Sequence, residues 1–135
     1  IKGLNEVQKR TIEKTFPETF LWEAEDHPYK GFLKLLSVSK AMILWKMTET
    51  FGYSLFEALA MKVEVICPSI KTYIEYARKV PMVNVVSSFE EVKERLREII
   101  SMDSLERSKR YLETLKFLKF LKESPKRILS VIENA

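Results

Sequence analysis

Three short apolar-rich runs constrain this chain most: residues 41–45 (AMILW), 63–67 (VEVIC) and 82–86 (MVNVV), each set between helical patterns. A run without polar alternation suits a strand buried on both faces. Strands alternating with helices imply right-handed β-α-β crossovers around a parallel sheet. Apolar spacing predicts helices over residues 4–14, 30–39, 54–61, 72–79 and 89–100, the first ending before Pro17. Residues 19–22 (TFLW) are a further candidate strand, and Pro68 ends the second run. Ser88 and Glu91 fit a capping box at the start of the fifth helix. The expected fold class is α/β, a Rossmann-like parallel sheet with flanking helices and a helical C-terminal extension.

That extension begins at about residue 102. Asp103 is placed to cap a helix carrying Leu105, Tyr111, Leu112, Leu115, Leu118 and Leu121. Pro125, at a favoured first helical position, restarts a second helix through Ile128, Leu129, Val131 and Ile132. Phe117 and Phe120 widen the apolar surface of the first of these helices beyond one stripe, so it should touch two neighbours. Lys116, Lys119 and Lys122 follow one edge. A solvated face is the simpler reading of that edge, and peripheral contact with an anionic membrane is the sharper one.

Composition excludes several classes. The chain has 135 residues, enough for one domain with a real core, and its 23 basic and 19 acidic side chains leave a net charge of only +4. That excess is too small to argue for nucleic acid, and the lysines of the last helices alternate with acids and lack aromatic stacking positions. Lone Cys67, closing an apolar run, reads as a buried structural thiol and rules out an internal disulfide. With one histidine besides, the chain offers no His/Cys zinc set. His27 in AEDHP reads as an exposed loop residue. No apolar run nears the ~20 residues of a membrane span, and no signal peptide stands at the front. The expected compartment is the cytoplasm, with membrane association as a variant. Because the chain opens on Ile1, it reads as a piece of something longer.

The chemistry concentrates in residues 48–60 (TETFGYSLFEALA). Glu49 leaves the strand at 41–45 on the edge where open parallel sheets bind ligands. Gly52, Tyr53 and Ser54 open the next helix, whose first N–H groups have no helical partner and form an anion site. Gly52 allows a phosphate close to the backbone, and Glu57 lies about 5 Å along the axis from the helix start. Two carboxylates flanking such a start suit a pocket that holds sugar hydroxyls on one side and phosphate on the other. Ser54-Leu55-Phe56-Glu57 equally fits a capping box in which Glu57 reaches back to the Ser54 N–H. There is no Gly-x-Gly-x-x-Gly, no Walker loop and no Asp-x-Asp metal pair.

At Glu49-Thr-Phe-Gly-Tyr-Ser-Leu-Phe-Glu57-Ala the chain resembles the C-terminal, donor-binding domain of GT-B fold glycosyltransferases, of the retaining family 4 type, with their Glu-x7-Glu motif. The likeness runs in order from about Phe20 to Ile100 and takes residues 37–45 as the helix-to-strand lead-in. It implies a donor-binding domain over residues 1–101 and a helical extension over 102–135 on the same domain. Glu49 would orient the donor sugar as the catalytic residue. Glu57 would hold the ribose hydroxyls of a UDP- or GDP-linked sugar, with Phe51, Gly52, Tyr53 and Ser54 at the diphosphate. Such enzymes use no metal and no other cofactor, and stabilise the departing phosphate by fixed electrostatics. The resemblance implies a hexosyltransferase that needs an N-terminal acceptor-binding domain, in the same chain or as a separate subunit.

The chain departs from that pattern in three places. Met61-Lys62 and Glu64 replace the usual small residue, Gly and Pro, and Ile70-Lys71-Thr72 replaces a Gly-Gly turn near the donor sugar. The family's first strand-helix unit, with its Arg and Lys for the diphosphate, has no counterpart ahead of Ile1. These departures motivate a second reading, a non-catalytic interaction module of the same fold that has lost its donor site.

Overall fold

The computed structural model describes residues 1–46 and 53–121. Its element order is α1 (Glu6–Thr15), a 3-10 turn (Ala24–Asp26), α2 (Tyr29–Ser37), β1 (Ala41–Ile43), α3 (Tyr53–Ala60), β2 (Glu64–Pro68), α4 (Lys71–Ala77), β3 (Val83–Val86), α5 (Phe89–Ser101) and α6 (Ser104–Leu121). The strands form one parallel sheet in the order β1-β2-β3, with Ile43 opposite Ile66 and Ile66 opposite Asn84. Lys2 adds a parallel bridge to Leu44 on the free side of β1. The fold is α/β and Rossmann-like, as the alternation of runs predicts.

Alternating strand residues feed two cores, because successive side chains of a strand point to opposite faces. Met42, Leu44, Val65, Cys67 and Val83 pack with Phe32 and Leu36 of α2, Leu55, Phe56 and Leu59 of α3, Tyr73 of α4 and Leu118 of α6. Ile43, Ile66 and Val86 pack with Ile12 of α1 and Val92, Leu96 and Ile99 of α5. Thus α2, α3, α4 and α6 cover one face, and α1 and α5 the other. The helix α6 belongs to the first core through Leu118, Tyr111, Leu115 and Phe117.

Two local expectations are corrected. Residues 19–22 do not form a strand: beside them Ile1 donates its N–H to the Trp22 carbonyl (2.8 Å) and accepts from Ala24 N–H (3.0 Å), while Leu21 and Trp22 reach the cores through their side chains. A strand needs an edge as long as itself to pair with, and Phe20 stays 77% exposed. The capping box at Ser88 is also displaced. Ser88 holds the N-cap position without a side-chain bond, and Glu91 reaches past it to the Ser87 N–H (3.1 Å). Asp103 does cap α6, accepting from the Glu106 N–H at 2.8 Å. The helix expected after Pro125 lies outside the described residues.

The helix α3 closes without a glycine. Val63 N–H donates to Ala58 O (2.9 Å) and Lys62 N–H to Leu59 O (3.1 Å), the paired bonds of a Schellman motif. Lys62 occupies the left-handed position at φ 63° and lays its ammonium over the Tyr111 ring at 5.7 Å. A side chain at such a φ costs ~1–2 kcal/mol. Lys62→Gly is therefore expected to stabilise the fold by about 0.5–1 kcal/mol after loss of the Tyr111 contact and added chain entropy, read as a higher urea midpoint at unchanged slope.

Cys67 is fully buried on β2, with Sγ 3.7 Å from the Asn84 carbonyl. Burial pushes its thiol from 9.0 up to about 12. The folded thiol keeps its proton where the unfolded one loses it, so this group's contribution to stability falls as pH rises from 9.0 towards about 12. Native protein is expected to resist a thiol-specific disulfide reagent at pH 8, with full reaction on denaturation; rapid native labelling would contradict the buried placement.

Candidate functional site

Where Lys2 and β1 end side by side, the chain diverges. The helix after Lys2, α1, lies on one face of the sheet, and the helix after β1, α3, lies on the other. Divergence of this kind opens a crevice beyond the carboxyl ends of parallel strands, the usual ligand position in open α/β sheets. The connections leaving β2 and β3 also diverge, but there Glu91 closes back on the Ser87 N–H, and neither buried carboxylate among the described residues belongs to that gap.

A cleft of ≈ 300 Å³ lies at this end of α3, lined by Lys2, Ala24, Glu25, His27, Tyr29, Phe32, Ser54 and Glu57. Three segments build it. Gly3 turns the chain out of the sheet at φ +88° with its Cα against the Trp45 carbonyl; a Cβ there would come within 2.4 Å of that oxygen. Lys2 is thereby held so that its Nζ donates to Ser54 Oγ (2.9 Å) in the first turn of α3. The stretch after Trp22 then brings His27 and Tyr29 over the cleft, with His27 edge-on to Trp22 at 5.7 Å and Tyr29 stacked on Phe32 at 6.4 Å.

Glu57 sits at the bottom. It is only 6% exposed because α3 is enclosed along Leu55–Leu59 by the sheet, α4 and α6. Its Oε2 has no hydrogen-bond partner among the described residues. The helix α3 begins at Tyr53, so Ser54 lies within its first turn and not at the N-cap that the capping-box alternative requires. The described neighbour of Glu57 is the Tyr29 hydroxyl. Desolvation, then the facing Glu57 carboxylate, push the Tyr29 phenol up to about 12. Tyr29 therefore stays a neutral donor throughout the physiological range. A buried carboxylate oxygen left without a donor costs ~1–3 kcal/mol or more. Among the described residues that oxygen stands open to a further donor.

The sequence-derived site residues fall out unevenly. Glu57 and Ser54 share the cleft. Tyr53 opens α3, and its side chain, together with Glu49, Phe51 and Gly52, lies outside the described residues. Three contributors were not foreseen. His27 is half-buried in the cleft wall, not an exposed loop residue. Lys2 and Tyr29 come from distant segments, and only the fold brings them to Glu57; a lone basic residue just before a glycine was the one available hint for Lys2. Among the described residues, no three His, Cys, Asp or Glu side chains group in a way that could hold a metal ion.

A second buried carboxylate, Glu64, provides the contrast. It is 2% exposed at the start of β2, and Arg110 of α6 grips it through Nε–Oε2 (3.0 Å) and Nη2–Oε1 (2.7 Å). Asn84 Nδ2 adds a bond to Oε1 (3.1 Å), and Arg95 Nε donates to Asn84 Oδ1 (2.7 Å). Every group is satisfied, so this network joins α6 and α5 to the sheet and leaves nothing over for a ligand. Among the described residues, Glu57 is the carboxylate that combines burial, a place at the ligand edge and an unmatched oxygen.

No family model, no curated protein and no solved structure matches this chain.

Proposed function

We propose that this chain is the donor-binding half of a retaining glycosyltransferase of the GT-B kind, acting with an acceptor-binding domain in the same protein or in a partner. Its ligand is a UDP- or GDP-linked sugar. The observation that carries the reading is the Glu57 oxygen, buried and unmatched at the diverging strand ends. A carboxylate is an acceptor only, so it suits a ligand that presents vicinal hydroxyls, as ribose does. The first turn of α3, with Lys2 on Ser54, supplies the positive end that a diphosphate requires. Glu49 and the amides near Gly52 take the sugar and diphosphate roles that the motif implies, without a metal.

One observation favours the rival, a non-catalytic interaction module. Ile70 is the N-cap of α4 and Lys71 and Thr72 its first turn, where the family has a flexible glycine turn beside the donor sugar. Amide-resolved NMR titration with UDP, GDP and their hexose conjugates separates the two. The donor reading expects weak, saturable shifts at Lys2, His27, Ser54 and Glu57. Silence at those positions with every nucleotide leaves the module.

A further inference from the structure

The helix α6 has an outward side as well defined as its packed one. Thr114 and Leu118 are buried, Arg110 is committed to Glu64, and the Tyr111 hydroxyl donates to the Ala60 carbonyl (3.3 Å). At about 3.6 residues per turn, Leu105, Lys109, Leu112, Lys116 and Lys119 all lie within about 40° of one direction, on the opposite side of the helix from Thr114 and Leu118. All five are exposed, Leu105 at 64% and Leu112 at 58%. The result is a ridge about 20 Å long made only of leucine and lysine. The nearest acids, Glu106 and Glu113, sit about 80–100° round the helix on one flank. Glu113 holds Lys116 at 2.9 Å, an exposed pair of the kind that contributes little.

The geometry points to this ridge as a docking surface for an anionic lipid bilayer. Three features select that partner. The surface is a convex ridge, not a groove. Its leucines stand seven residues apart, and the apolar residues three positions from them, Met102 and Leu115, pack into the two cores, so the ridge lacks the continuous seam that a partner helix would need. Pairing with a second copy would bring together ridges that each carry lysines and no acid. A bilayer meets none of these objections: each leucine enters the headgroup boundary independently, and the lysines face anionic headgroups between them. The ridge is distinct from any membrane-spanning arrangement, since no described helix is long and apolar enough to cross a bilayer. Lys122, which the sequence puts on the same edge, lies outside the described residues.

The test is flotation of the full chain with vesicles of phosphatidylcholine alone or of phosphatidylcholine with phosphatidylserine. The chain is expected to float with the anionic vesicles only, and to be released as salt shortens the Debye length. Lys109→Glu/Lys116→Glu/Lys119→Glu is expected to lower the partition at least about a hundredfold, since each lysine lost near such a surface is worth roughly fivefold and each glutamate adds repulsion. Leu105→Ser/Leu112→Ser is expected to lower it about tenfold with the charge unchanged. All these positions are exposed, so both variants should melt as the wild type does, and the salt release of the wild type needs no variant. Equal partition of wild type and triple variant, or equal flotation with neutral vesicles, overturns the assignment. So does failure to float together with capture by a polyglutamate column, which would give the ridge to an acidic protein.

Discussion

Arg110→Ala is expected to destabilise the fold by ~3–5 kcal/mol, the range for breaking a buried ion pair from one side. Against the ~5–15 kcal/mol that holds a typical domain together, that leaves a marginal protein. The size follows from what stays behind. Glu64 is 2% exposed, and without the two guanidinium bonds its carboxylate keeps only Asn84 as a donor. The pair also pins α6 across the starts of β2 and β3, since Arg110 Nη2 bonds the Pro81 carbonyl, just ahead of β3, as well as Glu64. Glu64→Leu/Arg110→Met removes both charges and is expected to cost far less than either truncation, because desolvation and attraction then vanish together. Urea unfolding of Arg110→Ala, Glu64→Leu, Arg110→Met and the double variant measures this directly. A loss under about 1 kcal/mol for Arg110→Ala would mean that water reaches Glu64.

Phe56→Ala is expected to cost a comparable ~3–5 kcal/mol, for a different reason. Phe56 is wholly buried in α3, edge-on to Tyr76 of α4 at 5.1 Å and stacked with Phe117 of α6 at 6.3 Å and 14°. Tyr76 and Phe117 also meet edge-on at 6.2 Å, so the ring joins three helices at one point. Truncation leaves a cavity that rigid helices cannot close, whereas Phe56→Leu fills most of it and is expected to cost under about 2 kcal/mol. Denaturant midpoints for the pair decide it. Near-equal values for alanine and leucine would show that the site collapses. Because Glu57 is the next residue, Phe56→Ala is also expected to loosen the cleft.

The sheet was legible because its strands are buried on both faces and so lose their polar alternation, as residues 41–45 show. Cys67 followed from the second run, residues 63–67. The stretch at 19–22 misled because composition resembles a strand where no paired edge is long enough to make one. Glu64 was visible only as an odd acid in an apolar run. Its partner Arg110 lies 46 positions away, a separation that no local pattern encodes. The cleft divides in the same way. Glu57 and Ser54 were found because they share one helix turn, where spacing predicts adjacency. Lys2, His27 and Tyr29 join them through loops and a divergence between sheet faces, and tertiary placement of that kind leaves no periodic mark.

The proposed donor site requires that Glu57 be kept for a ligand at a cost to the fold. The deciding measurement is the melting temperature of the wild type and of Glu57→Met, each with and without UDP- or GDP-hexose. Removing the unmatched carboxylate is expected to raise the ligand-free melting temperature by roughly 2–5 °C, and to abolish the further rise that sugar nucleotide is expected to give the wild type. A Glu57→Met protein that melts lower than the wild type and still responds to the nucleotide would contradict the account, marking Glu57 as a structural residue.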